Sequence, residues 1–151
     1  MFDINRFKGI VESFYKQLLN TKAEITSIKL SEEKFSLREI IGHLIDSASN
    51  NHQRFVRLQF EDLLNYPGYD CEEWVRTQEY NSLDWNVLVT LWYQYNVLLL
   101  HIIENIDETE LKNVWVRNQE TLSLEFLVND YYRHLEYHIE HFSKRRDELP
   151  E

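Results

Sequence analysis

The sequence has few of the residues that break helices or crosslink chains: three glycines, two prolines and one cysteine among 151 residues. Since so few positions force a helix to end, we expect long helices. The single cysteine, Cys71, excludes an internal disulfide and is typical of a protein from a reducing cytoplasm. The first residues lack a basic stretch followed by an apolar core, so no secretory signal is expected.

Long hydrophobic runs are also missing. The longest near-continuous run, Val97 to Ile103, is interrupted by His101 and is far shorter than the roughly 20 residues that a membrane span needs. We therefore expect a soluble protein that does not act in a membrane. Acidic residues outnumber basic ones by 26 to 16, and the resulting formal net charge of −10 repels phosphate backbones. Nucleic acid is therefore not an expected partner.

The apolar residues that are present predict helices. They make up 43% of a chain whose length suits one domain, residues 1–151. Apolar side chains recur every three or four positions in four segments, which predicts an all-α four-helix bundle. The predicted helices cover about residues 3–20, a segment from the capping-box residue Ser36 to about Leu64, a segment starting at Ser82, and one from Thr121 or Ser123 to about Arg146. The connection over 65–81 is turn-rich and long enough to cross the bundle, and Val114 to Val116 has an extended character.

Two histidines lie on the core face of the fourth predicted helix. At 100° per residue, His134 and His138 each fall within about 20° of Leu127. Two imidazoles one turn apart can bind one divalent ion through neutral nitrogen atoms, which also offsets the cost of burying polar rings. The alternative is a pair of core histidines satisfied by hydrogen bonds. Asp130, one turn earlier, either accepts the other ring proton of His134 or is a solvated surface acid.

A third ligand must come from another helix. His101 is expected at the surface, which leaves His43 and His52 on the second helix. Periodicity favours His52, because it lies on the apolar stripe while His43 lies at its margin. If the second and fourth helices are antiparallel, however, His43 comes level with His138, and His52 lies about 13 Å lower. We therefore predict a metal site formed by His43, His134 and His138.

Other polar residues near these histidines are candidates for supporting roles. His141 lies on the same helix as His134 and His138, and three ligands from one straight helix would strain tetrahedral geometry. We therefore expect His141 to support the site rather than to bind the ion. Ser47 and Arg54 follow His43 along the second helix. Arg54 can hold an anionic substrate or cofactor, although an exposed arginine at a helix edge is the favoured interpretation.

Two segments resemble motifs of the DinB/YfiT-like family of metal-binding helical bundles. The stretch Glu39-Ile40-Ile41-Gly42-His43-Leu44-Ile45-Asp46-Ser47 resembles the family's helix-two motif, with its metal histidine at His43. The stretch His134-Leu135-Glu136-Tyr137-His138-Ile139-Glu140-His141 is similar to the helix-four motif, in which two histidines four apart complete a three-histidine site. The resemblance covers nearly the whole chain.

This resemblance implies an up-down-down-up bundle, with the long second connection crossing over it, and often a homodimer. It also implies a nickel or zinc ion with open positions for water or a ligand. Characterised relatives include transferases and isomerases that use bacillithiol, mycothiol or glutathione, while others are called metal-dependent hydrolases. We therefore expect a metal-dependent enzyme for a small-molecule substrate, with thiol-dependent S-transfer favoured over hydrolysis because no obvious general base accompanies the ligands.

The competing hypothesis is a non-catalytic dimeric bundle with a structural or vestigial metal site. A structural ion usually has four protein ligands, whereas a catalytic ion keeps an open position. The sequence offers three suitable histidines, and Cys71 lies in the connection without a partner. This count favours an open site.

Overall fold

The computed structural model describes all residues, 1–151, and consists of five α-helices and a three-stranded sheet. The helices are α1 (Ile4–Leu19), α2 (Leu37–Arg57), α3 (Cys71–Gln78), α4 (Trp85–Glu104) and α5 (Leu124–Asp147). The strands are β1 (Leu63–Asn65), β2 (Val114–Arg117) and β3 (Glu120–Ser123). The four predicted bundle helices are α1, α2, α4 and α5, and the short α3 lies in the crossover.

Contacts between α1 and α5 show that these two helices are parallel. Near the start of α1, the ring of Phe7 stacks on Tyr132, with centroids 3.8 Å apart. Near the end of α1, the amide of Gln17 donates a hydrogen bond to the hydroxyl of Ser143, further along α5. Progress along α1 therefore matches progress along α5.

The other two long helices run in the opposite direction. Arg145, near the end of α5, donates to the backbone just before α2, so α2 is antiparallel to α5. α4 is parallel to α2, since Ser36 donates to Asn81 just before both helices and His52 contacts Tyr95 further along both. The predicted up-down-down-up four-helix bundle is confirmed.

Side-chain caps define where the helices begin. Ser36 forms the predicted capping box at the start of α2. Ser123 caps α5, so of the two predicted starts Thr121 is wrong, because it lies in β3. Asp84 caps α4 by accepting two backbone N–H bonds, whereas the predicted cap, Ser82, lies in a separate 3-10 turn.

The small sheet replaces the predicted end of the second helix. That helix was expected to reach Leu64, but α2 ends at Arg57, and β1 pairs in parallel with β2. The extended character of Val114 to Val116 is confirmed by β2. β2 and β3 form a tight hairpin in which Asn118 and Gln119 both have positive φ, the conformation that matches strand twist in two-residue hairpins.

The crossover is more regular than its composition predicts, and it packs directly on α2. Asp70 caps the start of α3, and its side chain accepts from the backbone N–H of Glu73. Beyond α3, the ring of Tyr80 lies against the backbone of α2, where a Cβ atom added to Gly42 would be 2.0 Å from Cδ2 of that ring. The Tyr80 hydroxyl donates to Asp46 at 2.6 Å, so the crossover is held on the segment of α2 that contains His43.

α4 is long and apolar enough, by length and composition, to cross a membrane, which inspection of continuous apolar runs did not predict. A core helix of a soluble protein meets the same criteria. Leu88, Trp92 and Leu99 are fully buried in the core, and this packing explains much of the apolar character of α4. Val87, Leu91 and Leu98 remain 42% to 49% exposed, so the apolar surface of α4 is wider than the bundle core covers.

The contact between Gly42 and Tyr80 gives a stability prediction. We expect Gly42→Ala to lower the free energy of unfolding by about 1–3 kcal/mol, because the added methyl group overlaps the Tyr80 ring. Urea unfolding followed by circular dichroism measures the change. Gly9→Ala in α1 is the control, since its Cβ would meet nothing within 4 Å and alanine favours the helix by about 1 kcal/mol. Equal effects at the two glycines would contradict the close packing.

Candidate metal centre

α2 and α5 bring three histidine rings together. The Nε2 atom of His138 lies 3.1 Å from Nε2 of His43 and 3.0 Å from Nε2 of His134. One nitrogen atom from each of the three rings falls within 4.8 Å of the other two. The structure therefore unites the three histidines that the sequence analysis grouped.

The positions of the other histidines follow from the directions of the helices. His43 lies near the start of α2 and His138 near the end of α5, so antiparallel packing puts them level. His52, nine residues further along α2, lies outside the cluster, and its Nδ1 contacts the Tyr95 hydroxyl at 2.8 Å. His101 is exposed on α4, as predicted.

Burial lowers the pKa of each clustered ring from its ordinary value of about 6.5. The pKa of His43 falls to about 4 and that of His138 to about 3, through burial first and then through the neighbouring rings. Burial also lowers the pKa of His134, and the charge of Asp130 opposes that change. All three rings are therefore neutral at pH 7, which is the form that binds a metal ion.

Hydrogen bonds within the chain do not satisfy this cluster. A neutral imidazole has a single N–H group, yet Nε2 of His138 faces two other Nε2 atoms at short distance. The Nδ1 atoms of His43 and His138 are buried without a hydrogen-bond partner, so no carboxylate or carbonyl orients these rings. Three nitrogen atoms turned toward one another fit a shared cation better than a hydrogen-bonded core cluster.

Two of the predicted supporting residues lie beside the cluster. Asp130 forms an ion pair with Arg133 at 2.6 Å and makes no hydrogen bond to His134. It therefore fits the alternative of a surface acid, and it acts on His134 only by raising the pKa of that ring through its charge. The His141 ring lies 5.9 Å from that of His138, between centroids, and its Nε2 is 3.5 Å from a nitrogen atom of Arg145. His141 is therefore a neighbour of the cluster.

A row of buried polar residues continues along α2 beyond His43. Its members are Asp46, Ser47, Asn50 and Arg54. The favoured expectation that Arg54 is exposed is wrong: it is only 6% exposed, and its guanidinium carbon lies 3.9 Å from the centroid of the Trp115 ring. The reason is that β2, which carries Trp115, covers this part of α2. Ser47 is also buried, and its hydroxyl accepts a long contact from the Asn51 amide.

Asp46 is the candidate that the sequence analysis missed. It lies three residues after His43 and is 1% exposed. One carboxylate oxygen accepts hydrogen bonds from Tyr80 and Gln78, while the other is buried without a partner. Burial raises the pKa of Asp46, and the two hydrogen bonds oppose this shift. The available signal was its spacing, because a residue one turn after His43 lies on the same side of the helix.

Comparisons with known proteins add information about the fold. No protein-family model matches the chain, and no curated protein matches its sequence. Among solved structures, the chain is similar to YfiT from Bacillus subtilis, a probable metal-dependent hydrolase with an unusual four-helix bundle topology. The TM-score is 0.82 at 17% identity, and the match covers 96% of this chain and 86% of YfiT.

Two further structures share this fold. A mycothiol-dependent maleylpyruvate isomerase has a TM-score of 0.72 at 13% identity, over 90% of this chain but only 57% of the isomerase. The DinB-like protein YjoA from Bacillus subtilis has a TM-score of 0.65 at 16% identity, over 98% of this chain and 94% of YjoA. The resemblance predicted from the motifs around His43 and His134 is thus confirmed, and the chain has the fold of the DinB/YfiT-like proteins.

Proposed function

We propose that His43, His134 and His138 bind one divalent metal ion and that the protein is a metal-dependent enzyme. The observation that carries this proposal is the convergence of one nitrogen atom from each ring to within 4.8 Å. Two nitrogen atoms that bind one ion at about 2.1 Å are at most about 4.2 Å apart. The Nε2 atom of His138 meets this limit with both partners, at 3.1 Å from His43 and 3.0 Å from His134. The low pKa values of His43 and His138 support it, because metal ions do not have to displace protons from these rings at pH 7.

The number of protein ligands favours a catalytic ion over a structural one. Structural zinc sites usually have four protein ligands, whereas catalytic sites have three and leave a position for substrate or water. The cluster contains three histidines and no cysteine or carboxylate. A bound ion acts as a Lewis acid that lowers the pKa of a water or thiol ligand. Imidazole ligands suit nickel and zinc, which are the proposed metals.

For the reaction, we propose thiol-dependent S-transfer to a small molecule, with hydrolysis as the second candidate. The isomerase with this fold is mycothiol-dependent, and YfiT is a probable hydrolase. The ion can ionise a bound water as well as a bound thiol, but hydrolysis also calls for a base that directs the water. The only buried carboxylate, that of Asp46, has one oxygen occupied by Tyr80 and Gln78. A metal-bound thiolate needs no base to direct it. The single Cys71 and the soluble bundle suit the cytoplasm, where low-molecular-weight thiols are reduced.

Metal content is the first test of this proposal. We expect about one nickel or zinc ion per chain in untagged protein supplied with these metals, measured by mass spectrometry. His43→Ala and His138→Ala should each lower the content at least tenfold, since they leave two ligands. His52→Ala is the matched control on α2, and it should keep the ion because His52 lies outside the cluster. A wild-type protein that takes up no ion would refute the metal site.

Thiol binding separates the two reactions. After cobalt substitution, glutathione should produce a thiolate-to-cobalt charge-transfer band in the near ultraviolet. S-methylglutathione should not, because its sulfur cannot ionise. If neither compound changes the spectrum while the cobalt content stays at about one per chain, glutathione-dependent S-transfer fails and hydrolysis becomes the leading reaction.

We also propose that the protein is a homodimer that associates through α4. The exposed side chains of Val87, Leu91 and Leu98 provide an apolar surface on this helix. Light scattering should give twice the chain mass for wild-type protein and the monomer mass for Leu91→Glu. Asn129→Glu adds the same charge to the exposed surface of α5 and should remain dimeric. A monomeric wild-type protein would contradict this assignment.

A further inference from the structure

Arg54 is a buried cation without an acidic partner. None of the ten ion pairs in the protein includes it. Its Nη1 makes one long hydrogen bond, 3.4 Å, to Asn51, and its Nε is buried without any partner. Guanidinium stays protonated at neutral pH, and an unpaired buried charge is strongly unfavourable. Stacking on Trp115 offsets part of this cost but supplies no negative charge.

A second arginine increases the positive charge at the same place. The guanidinium carbon of Arg117 lies 5.9 Å from the centroid of the Trp115 ring that Arg54 contacts at 3.9 Å. Burial lowers the pKa of Arg54, and Arg117 lowers it further. The other titratable groups that influence Arg54 are Tyr69, Tyr66 and Cys71, none of which is a carboxylate. Neither arginine forms an ion pair with a carboxylate.

A cavity adjoins these groups. It has a volume of about 440 Å³ and is lined by residues 65–70 of the crossover and 116–118 of the hairpin. Tyr66, Tyr69 and Arg117, which influence Arg54, line it together with one acidic residue, Asp70. Arg54 itself is not a lining residue. The cavity is large enough for a small anionic group to contact Arg117 from solvent, and Arg54 is close enough to Arg117 for their charges to interact.

We propose that Arg54, together with Arg117, forms an anion subsite that binds a carboxylate or phosphate group of a small-molecule ligand. A planar guanidinium can donate two parallel hydrogen bonds to either group, which makes arginine suitable for both. The bound anion neutralises the buried charge of Arg54. This requirement explains why the polar row of α2 ends in an arginine that no residue of the chain pairs with.

The subsite also indicates what the metal centre acts on. Arg54 is eleven residues after His43 on the same helix, or about 16 Å along α2, a distance that an extended small molecule can span. An extended ligand with an anionic group at Arg54 can therefore direct its other end toward the histidine cluster. This link rests on the proposed metal-dependent function, whereas the anion subsite itself does not.

Calorimetric titration of metal-free protein at low salt tests the subsite, with succinate and inorganic phosphate as the two probes. We expect one equivalent of anion per chain, and the tighter probe identifies the group as carboxylate or phosphate. Arg54→Gln should weaken binding at least tenfold, and Arg54→Lys should weaken it less because it keeps the charge. Arg57→Gln is the matched control on the same helix, and its affinity should change less than twofold, since Arg57 has its own acidic partner, Glu61.

Thermal unfolding distinguishes this role from simple stacking. Without anion, Arg54→Met should unfold at the same temperature as wild type or higher, because it removes an unpaired buried charge. With anion, the wild-type protein alone should gain in unfolding temperature. The proposal is overturned if Arg54→Met unfolds at a lower temperature than wild type and Arg54 makes no difference to anion binding. That second result means either that the wild type and Arg54→Gln bind the probes with equal affinity or that neither binds them. Arg54 then serves only to stack on Trp115.

The metal proposal can fail separately. His138→Ala, which should lose the ion, should still bind the anion with wild-type affinity, and Arg54→Gln should retain the ion. Loss of anion binding in metal-free His138→Ala would overturn an independent subsite. Failure of metal uptake with anion binding intact would refute only the metal centre.

Discussion

The antiparallel packing of α2 against α5 determines where the buried histidines of this protein meet. It puts His43 opposite His138, and it does so near the ends of both helices, where the contact is fixed by local structure. Ser36 caps α2 seven residues before His43, and Arg145 of α5 donates to the backbone just before α2. A shift of one helix by a single turn, about 5 Å, would separate the rings. The cluster therefore depends on register as much as on composition.

The segment around His43 is constrained from two sides. α5 approaches it through the two partner histidines, and the crossover approaches it through Tyr80. Gly42 allows the Tyr80 ring to lie on the helix backbone, and the Tyr80 hydroxyl then reaches Asp46. A buried carboxylate and buried imidazoles are costly unless neighbouring groups are oriented to satisfy them. The Tyr80 hydroxyl satisfies one oxygen of the Asp46 carboxylate, whereas the imidazoles of His43 and His138 have no hydrogen-bond partner at Nδ1.

The sequence predicted the helices better than the connections, for physical reasons. The apolar period of α2 and the Ser36 capping box are local signals, and both were correct. The choice of His43 over His52 as a neighbour of His138 depended on helix direction, because periodicity alone favoured His52. The end of α2 could not be predicted from its own residues, since β1 forms by pairing with a strand about 50 residues later.

The sequence also misjudged two buried polar residues, Arg54 and Asp46, because their burial depends on distant parts of the chain. Arg54 has the sequence environment of an exposed helix edge, and only the placement of Trp115 from β2 buries it. Asp46 has a local signal in its spacing from His43, but its partners, Tyr80 and Gln78, come from the crossover. Neither partner could be assigned before the path of the crossover was known.

The parallel pairing of Leu63 with Val114 has a consequence for the order of folding. The two strands are joined by a long segment that contains α3 and α4, so their pairing must bear the entropy of closing a loop of about 50 residues. Local helices and the contacts between neighbouring helices form at lower entropic cost. The sheet, and with it Trp115, is therefore expected to dock late. Until then Arg54 remains hydrated, so its desolvation is deferred to the last stage of assembly.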